Sequence, residues 1–111
     1  MITTHVLDLS SGKPAAGVRV ALAAIEDGRR VPVAAGVTDV DGRLKDLVPK
    51  SKKLDAAIYE LTFETGTYFA SHGIQAFHPR VSVTVEIADP DEHYHVPLLV
   101  SPFGYTTYRG S

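Results

Sequence analysis

Apolar and polar residues alternate with a period of two through most of the chain, which is the pattern of strands that bury one face. The clearest run covers residues 81–87, where valines and one isoleucine alternate with serine, threonine and glutamate. A second run, over residues 57–63, places Tyr59, Leu61 and Phe63 on one face. Both runs predict half-buried strands.

Further strands are predicted where the same alternation recurs between turn residues. They cover residues 2–9, 18–23, 31–37, 44–48, 93–100 and 105–108. Pro32 interrupts the third of these runs and indicates an edge strand or a bulge, because proline cannot donate to a strand ladder. The Asp27-Gly28 pair stands between two runs and predicts a type I′ hairpin, whose central residues need positive φ.

One stretch breaks the alternation. Over residues 65–72, Tyr68 and Phe69 are placed to cover the sheet from one helical face. Thr65 is the predicted N-cap and Gly73 the predicted C′ residue of this short helix. The whole pattern predicts an all-β fold, a two-sheet Greek-key sandwich of about eight strands with one short helix, in a single domain over residues 1–111.

Composition narrows the function classes. The 44% hydrophobic and 22% charged residues are ordinary for a globular domain. The net charge is -2 and the only basic run is Lys50-Ser51-Lys52-Lys53, so no nucleic-acid partner is expected. The chain has no cysteine, which excludes disulfides and thiolate zinc sites. No apolar stretch is long enough to span a membrane and no secretion signal is visible, so the cytoplasm is the expected compartment, with the peroxisome or periplasm as alternatives.

Candidate chemistry concentrates near the C-terminus. His93 and His95 are two apart on a predicted strand and project from the same face, a spacing that zinc sites use. A third ligand would have to come from elsewhere in the chain, with His5 as the best candidate, and no carboxylate stands at ligand spacing. The alternative is structural, with His93 exposed at the start of a strand and with His5 and His95 in the core, bonded to backbone carbonyls.

Catalysis is the other interpretation of these residues. An imidazole exchanges a proton near neutral pH and suits a general base acting on water. Arg43, directly after the turn at residues 38–42, is either a solvated side chain or a planar cation that holds a carbonyl-rich substrate, and Arg109 has the same two interpretations. Tyr108 and Ser111 add hydroxyls, although terminal polar residues are most often merely exposed. No Gly-x-Ser-x-Gly motif or phosphate-binding loop is present.

Four segments together resemble the 5-hydroxyisourate hydrolases of the transthyretin-like family, in order and across the whole chain. They are Thr4-His5-Val6-Leu7-Asp8, Thr38-Asp39-Val40-Asp41-Gly42-Arg43, His93-Tyr94-His95-Val96-Pro97-Leu98-Leu99 and Tyr108-Arg109-Gly110-Ser111. The terminal tetrapeptide is the most specific, because transthyretins lack it and also lack the two histidines at positions 5 and 95. The resemblance implies a prealbumin-like sandwich and a homotetramer built as a dimer of dimers, with active sites in a channel between dimers.

The resemblance also implies an activity, the hydrolysis of 5-hydroxyisourate to 2-oxo-4-hydroxy-4-carboxy-5-ureidoimidazoline in urate degradation, without cofactor or metal. The implied catalytic residues are His5, Arg43, His95 and Ser111. The implied substrate-binding residues are Arg43, Tyr108, Arg109, Gly110 and Ser111. Which histidine is the base, and whether Ser111 acts through its hydroxyl or a terminal carboxylate, stay open.

Two other functions compete with this one. A transthyretin-like carrier would hold a small aromatic ligand in the channel without turning it over, but the polar set His5, Arg43 and His95 argues against an apolar ligand. A zinc hydrolase using His5, His93 and His95 would lose activity with chelators.

Overall fold

The computed structural model describes residues 1–111 and contains nine strands and one helix. The elements of the first half are β1 (Ile2–Asp8), β2 (Lys13–Pro14), β3 (Arg19–Glu26), β4 (Arg29–Val37) and β5 (Arg43–Val48). Those of the second half are β6 (Ala57–Phe63), α1 (Thr65–Ser71), β7 (Val81–Ile87), β8 (Tyr94–Ser101) and β9 (Gly104–Thr107).

The strands form two sheets. One has the order β2-β1-β8-β9, with β5 also paired to β1, and the other has the order β4-β3-β6-β7. Strands β1 and β8 run parallel, and all other neighbours are antiparallel. The predicted two-sheet sandwich with one short helix is confirmed. The count is nine rather than about eight because Lys13 and Pro14 add a two-residue strand opposite Asp8 and Leu7.

The inner faces of both sheets meet in one core of 22 buried residues. Tyr59, Leu61 and Phe63 all belong to it, as the alternation in residues 57–63 predicts. The helix adds Phe69, which is fully buried, and Tyr68. No helix of the protein has both the length and the apolar character needed to cross a membrane.

The predicted hairpin and edge strand are confirmed. Asp27 and Gly28 have φ of 51° and 76° and join Glu26 to its pairing partner Arg29. Strand β4 lies at an edge of its sheet, and its register shifts where Pro32 pairs with β3. The bulge and the edge position both accommodate a residue that cannot donate a backbone hydrogen bond.

The predicted start of the helix is wrong by one residue. Thr65 is the first helical residue, Glu64 is the N-cap, and no side chain caps the helix. The Glu64 N–H donates to the Arg19 carbonyl oxygen at 2.9 Å, so the chain is still held by β3 at that position. The predicted C-terminus is confirmed, since Gly73 has φ of 73° and its N–H donates to the Ala70 carbonyl oxygen at 3.0 Å.

A buried carboxylate fastens the helix to the end of β1. The Tyr68 hydroxyl donates to Oδ2 of Asp8 at 2.8 Å, and the Ser10 N–H and hydroxyl donate to Oδ1 at 2.9 and 2.6 Å. Burial alone would raise the pKa of Asp8, but the hydrogen bonds from Ser10 and Tyr68 outweigh it and hold that pKa below its ordinary value. Burial, together with Asp8, raises the pKa of Tyr68 to about 12.

We expect Tyr68→Phe to lower the free energy of unfolding by about 1.5–3 kcal/mol at neutral pH, because it removes a buried hydrogen bond to a charged acceptor. Because the Asp8 pKa is lowered on folding, its contribution is present above the ordinary value of 3.8 and is lost as pH falls through the lowered value. The difference in unfolding free energy between the wild type and Tyr68→Phe, measured with urea, should therefore be smaller at about pH 3 than at about pH 7. Tyr105→Phe, at an exposed tyrosine, is the matched control; an equal loss at both pH values would contradict the role of the Asp8 charge.

Candidate active site

Strand register brings the candidate residues together on the outer face of the β1–β8 sheet. Thr3 lies opposite His95, and His5 lies opposite both Arg43 and Pro97. Residues that stand opposite each other on neighbouring strands project from the same face of the sheet. The other face of β1 carries the core residues, so the site and the core lie on opposite sides of one strand.

An open cavity of about 290 Å³ lies on this outer face. Its lining includes Arg43, His95 and Ser111, three of the residues predicted from the sequence. It also includes Thr3 and Lys45, which were not predicted as site residues. Both stand two positions from a predicted residue on the same strand, so the two-residue period could have identified them.

The turn before β5 positions Arg43. Oδ1 of Asp39 accepts from the N–H groups of Asp41 and Arg43 at 2.8 and 3.0 Å. The backbone hydrogen bond from the Arg43 N–H lowers the pKa of Asp39, and the Asp41 N–H and nearby cations add smaller effects in the same direction. The Asp39 carboxylate therefore stays charged. Gly42 has φ of 73°, and a Cβ there would overlap the Val6 carbonyl oxygen. The Arg43 guanidinium itself takes part in no hydrogen bond or ion pair within the chain, which leaves it free to bind a ligand.

His5 is held by the same turn. Its Nε2 donates to the Asp41 carbonyl oxygen at 2.9 Å. A carbonyl only accepts, so Nε2 carries the hydrogen and Nδ1 is the remaining nitrogen. His5 is half-buried on the outer face and does not lie in the core, although the alternative of a bond to a backbone carbonyl is confirmed.

His95 is suited to act as a base. Its Nδ1 lies 2.7 Å from Oγ1 of Thr3, and its Nε2 makes no hydrogen bond within the chain. Burial, and then the nearby charges of His93, Arg43 and His5, lower its pKa below the ordinary value of 6.5. The ring is therefore neutral at pH 7 and able to accept a proton. His93 is exposed just before β8, as predicted, and its Nε2 also lies 2.7 Å from Oγ1 of Thr3.

The C-terminal tail returns to His95. The Gly110 N–H donates to the His95 carbonyl oxygen at 2.8 Å, which forms an antiparallel bridge. A Cβ at Gly110 would lie 2.6 Å from Cδ2 of His95 and 3.2 Å from Cγ of Pro97. Glycine is required here because the tail approaches the imidazole so closely. Ser111 follows and reaches the cavity.

Tyr108 and Arg109 lie elsewhere. They line a second cavity of about 340 Å³ between β7 and β8, whose other lining residues include Val85 and Tyr94. The Arg109 guanidinium lies 4.3 Å from the centre of the Tyr94 ring, and its Nη2 donates to Oε1 of Glu92 at 3.3 Å. Within one chain, the structure thus brings Gly110 and Ser111 to His95 but directs Tyr108 and Arg109 away from that cavity.

The geometry does not favour a three-histidine metal site. No group of three or more histidine, aspartate or glutamate side chains is arranged to hold a metal ion. Nδ1 of His95 and Nε2 of His93 both point at the Thr3 hydroxyl, and Nε2 of His5 donates to a carbonyl.

The sequence of residues 2–110 matches the HIUase/Transthyretin family. The chain belongs to this family. It is 48% identical over 115 residues to a 5-hydroxyisourate hydrolase of Halalkalibacterium halodurans, an alignment that covers 99% of this chain and 97% of the relative.

Solved structures of two functional types share the fold. The 5-hydroxyisourate hydrolase of Klebsiella pneumoniae superposes with a TM-score of 0.87 at 38% identity, over 99% of this chain and 97% of the other. A transthyretin from Sparus aurata superposes with a TM-score of 0.91 at 31% identity, over 98% and 95%. The course of the backbone therefore does not separate the two types, and the side chains of the site must do so.

We expect Gly110→Ala to displace the His95 ring or the tail, because the added Cβ would lie 2.6 Å from Cδ2. Either displacement exposes the ring, and since burial lowers the His95 pKa, that pKa should rise toward 6.5. An NMR titration of the imidazole protons measures this change. Gly104→Ala is the matched control, because a Cβ there meets nothing closer than 4.0 Å. Unchanged His95 resonances in Gly110→Ala would contradict the close approach.

Proposed function

We propose that this protein hydrolyses 5-hydroxyisourate to 2-oxo-4-hydroxy-4-carboxy-5-ureidoimidazoline, using water activated by His95. The observation that carries the proposal is that His95, Arg43 and Ser111 line one cavity on the outer face of the sheet. A neutral base can activate water and a free cation can stabilise the charge on an attacked carbonyl, which are the two tasks in hydrolysis of a cyclic amide.

The first step is attack of water on the amide-like carbonyl of the six-membered ring. Nε2 of His95 takes a proton from the water as its oxygen bonds to the carbonyl carbon. This assignment of the base is supported by the hydrogen-bond partners, since Nε2 of His95 is unbonded within the chain while His5 already donates through its Nε2. The lowered His95 pKa keeps the ring neutral and ready to accept.

Arg43 stabilises the negative charge that develops on the carbonyl oxygen. An arginine side chain stays protonated throughout the working pH range and can donate two hydrogen bonds to one oxygen-rich edge. The guanidinium has no partner within the chain, so no internal ion pair must break when substrate binds. Lys45 lines the same cavity and adds a second positive charge.

The second step breaks the ring C–N bond. The leaving nitrogen takes the proton that His95 accepted, so the imidazole returns to its neutral state and the water has been divided between carbon and nitrogen. One proton thus passes from the water to His95 and from His95 to the leaving nitrogen.

The remaining predicted residues lie at different distances from this centre. His5 is opposite Arg43 and can orient the substrate through Nδ1. Gly110 and Ser111 close one side of the cavity beside His95. Tyr108 and Arg109 fix the course of the tail, and a substrate contact for either would have to arise in an assembly.

A homotetramer built as a dimer of dimers is part of this proposal. Strands β7 and β9 are unpaired edges of the two sheets, and the cavity between β7 and β8 places them on one side of the sandwich. Such edges readily pair with a second copy. Phe77 and Phe103 are 72% and 77% exposed and would gain from burial. Light scattering should give about four times the chain mass of 12.0 kDa; a monomer would refute this part.

The compartment proposed for the protein is the cytoplasm.

A carrier function is the second candidate, because transthyretins share this backbone. A carrier for an apolar aromatic ligand would favour an apolar lining. Here the cavity contains Arg43, Lys45 and His95 instead. A direct assay separates the two functions: 5-hydroxyisourate is made freshly from urate with urate oxidase, and its ultraviolet decay is followed with and without the protein. Decay no faster than the spontaneous reaction would reject the enzyme and favour the carrier.

We expect His95→Ala to lower kcat in this assay by at least about two orders of magnitude, because general-base catalysis contributes about 10²- to 10⁴-fold. The fold should persist, since the side chain lies on the outer face of the sheet; circular dichroism and light scattering check this. His72→Ala, at an exposed histidine after α1, should leave kcat unchanged. Near wild-type activity of folded His95→Ala would assign the base elsewhere.

A further inference from the structure

One buried hydroxyl contacts both C-terminal histidines. Oγ1 of Thr3 lies 2.7 Å from Nδ1 of His95 and 2.7 Å from Nε2 of His93. Both are hydrogen-bond distances. Thr3 is only 6% exposed, so the two imidazoles rather than bulk water are the partners of its hydroxyl.

The number of protons limits how this bridge can be arranged. A threonine hydroxyl has one proton, so it donates to one ring and accepts from the other. If Thr3 accepts from His95, Nδ1 of that ring carries the hydrogen and Nε2 has the lone pair. If Thr3 donates to His95, the neutral ring carries its hydrogen on Nε2 and cannot take a proton from water there.

We infer that Thr3 accepts from Nδ1–H of His95 and donates to Nε2 of His93, and so holds His95 in the tautomer whose Nε2 lone pair faces the cavity. Thr3 is then a positioning residue that acts through His95, and His93 is the acceptor that orients the hydroxyl. The inference rests on the proposed function, in which Nε2 of His95 is the base.

The charges around the cavity favour this arrangement. The Arg43 guanidinium and the Lys45 ammonium line the same cavity as His95. A lone pair is the negative end of the imidazole dipole, so nearby cations favour a lone pair over an N–H that faces them. His93 is exposed, so its own Nδ1–H can donate to water.

The packing holds the ring in this orientation. Thr3 contacts the Nδ1 edge of His95, and the Gly110 backbone lies against the edge that carries Cδ2. Rotation of the ring by half a turn would point a carbon at the Thr3 hydroxyl and break the hydrogen bond. Because the ring is confined on both edges, the direction of the Thr3 hydrogen bond alone decides which nitrogen carries the hydrogen.

The test compares Thr3→Val, which keeps the β-branched shape but removes the hydroxyl, with Thr3→Ser, which keeps the hydroxyl. We expect Thr3→Val to lower kcat about 10- to 100-fold with KM within about twofold, by analogy with the loss found when the hydrogen-bond partner of a metal-binding histidine is removed. Thr3→Ser should recover most of the loss. A folded Thr3→Val with wild-type kcat, or a Thr3→Ser as impaired as Thr3→Val, would overturn the inference.

A second measurement reads the tautomer independently of activity. With ¹⁵N-labelled histidine, neutral His95 should show a protonated Nδ1 and an unprotonated Nε2 in the wild type, and a mixture or the reverse in Thr3→Val. His93→Ala should lower kcat less than Thr3→Val, since water can accept the Thr3 proton at that exposed position. A greater loss in His93→Ala than in Thr3→Val would overturn the inference.

These measurements separate the failure of this inference from the failure of the proposed function. If His95→Ala stays active, His95 is not the base, whatever the tautomer in the wild type. If His95→Ala is inactive while the wild-type ring carries its hydrogen on Nε2, the hydrolase activity and the need for His95 stand, but Nε2 is not the base and the role of Thr3 is wrong.

Discussion

The parallel pairing of β1 with β8 is the interaction on which the rest of the structure depends. It joins the two ends of the chain, with Ile2–Asp8 in register with Tyr94–Val100. This register sets Thr3 opposite His95 and His5 opposite Pro97, so it brings Thr3 and His95 together at the cavity. A slip of one residue would carry the site side chains of β8 to the core face. The candidate site therefore depends on the same hydrogen bonds as the fold.

Each of these two strands contributes to the core and to the site through alternate residues. On β1 the buried Ile2 and Val6 face the second sheet, while Thr3 and His5 face outward. The buried Thr4 hydroxyl donates to the Val96 carbonyl oxygen at 2.5 Å, which adds a side-chain hydrogen bond to the β1–β8 pairing. The close packing of the inner face holds the outer side chains in place, which is the rigidity that a preorganised catalytic site needs.

Local patterns predicted most of the fold and part of the site. The strands other than β2, and the Asp27-Gly28 hairpin, depend on neighbouring residues, so the sequence alone identified them. The N-cap was predicted at Thr65 but is Glu64. The Glu64 N–H donates to the carbonyl oxygen of Arg19, a contact between residues distant in sequence that local patterns do not show. Thr3 was missed as a site residue although it shares a strand face with His5, because its contact with His95 depends on the pairing of β1 with β8. Tyr108 was predicted to bind substrate but does not line the cavity with His95. Long-range contacts of Arg109 with Tyr94 and of Gly110 with His95 set the course of the tail, and the sequence does not show them.

In the proposed function, charge at one site distinguishes a hydrolase from a carrier on the same fold. The backbone superposes on a transthyretin with a TM-score of 0.91 and on a hydrolase with 0.87, so the sandwich itself does not require catalysis.

Arg43 serves two needs of the proposed reaction at once. Its charge helps to lower the His95 pKa, after the larger effect of burial, and the same charge can stabilise an oxyanion. A lower pKa makes each neutral imidazole a weaker base but keeps more of the protein in the neutral form, and catalysis is best when the pKa lies near the working pH. A carrier of an apolar ligand would gain from neither effect, so this pairing of cation and imidazole favours the hydrolase.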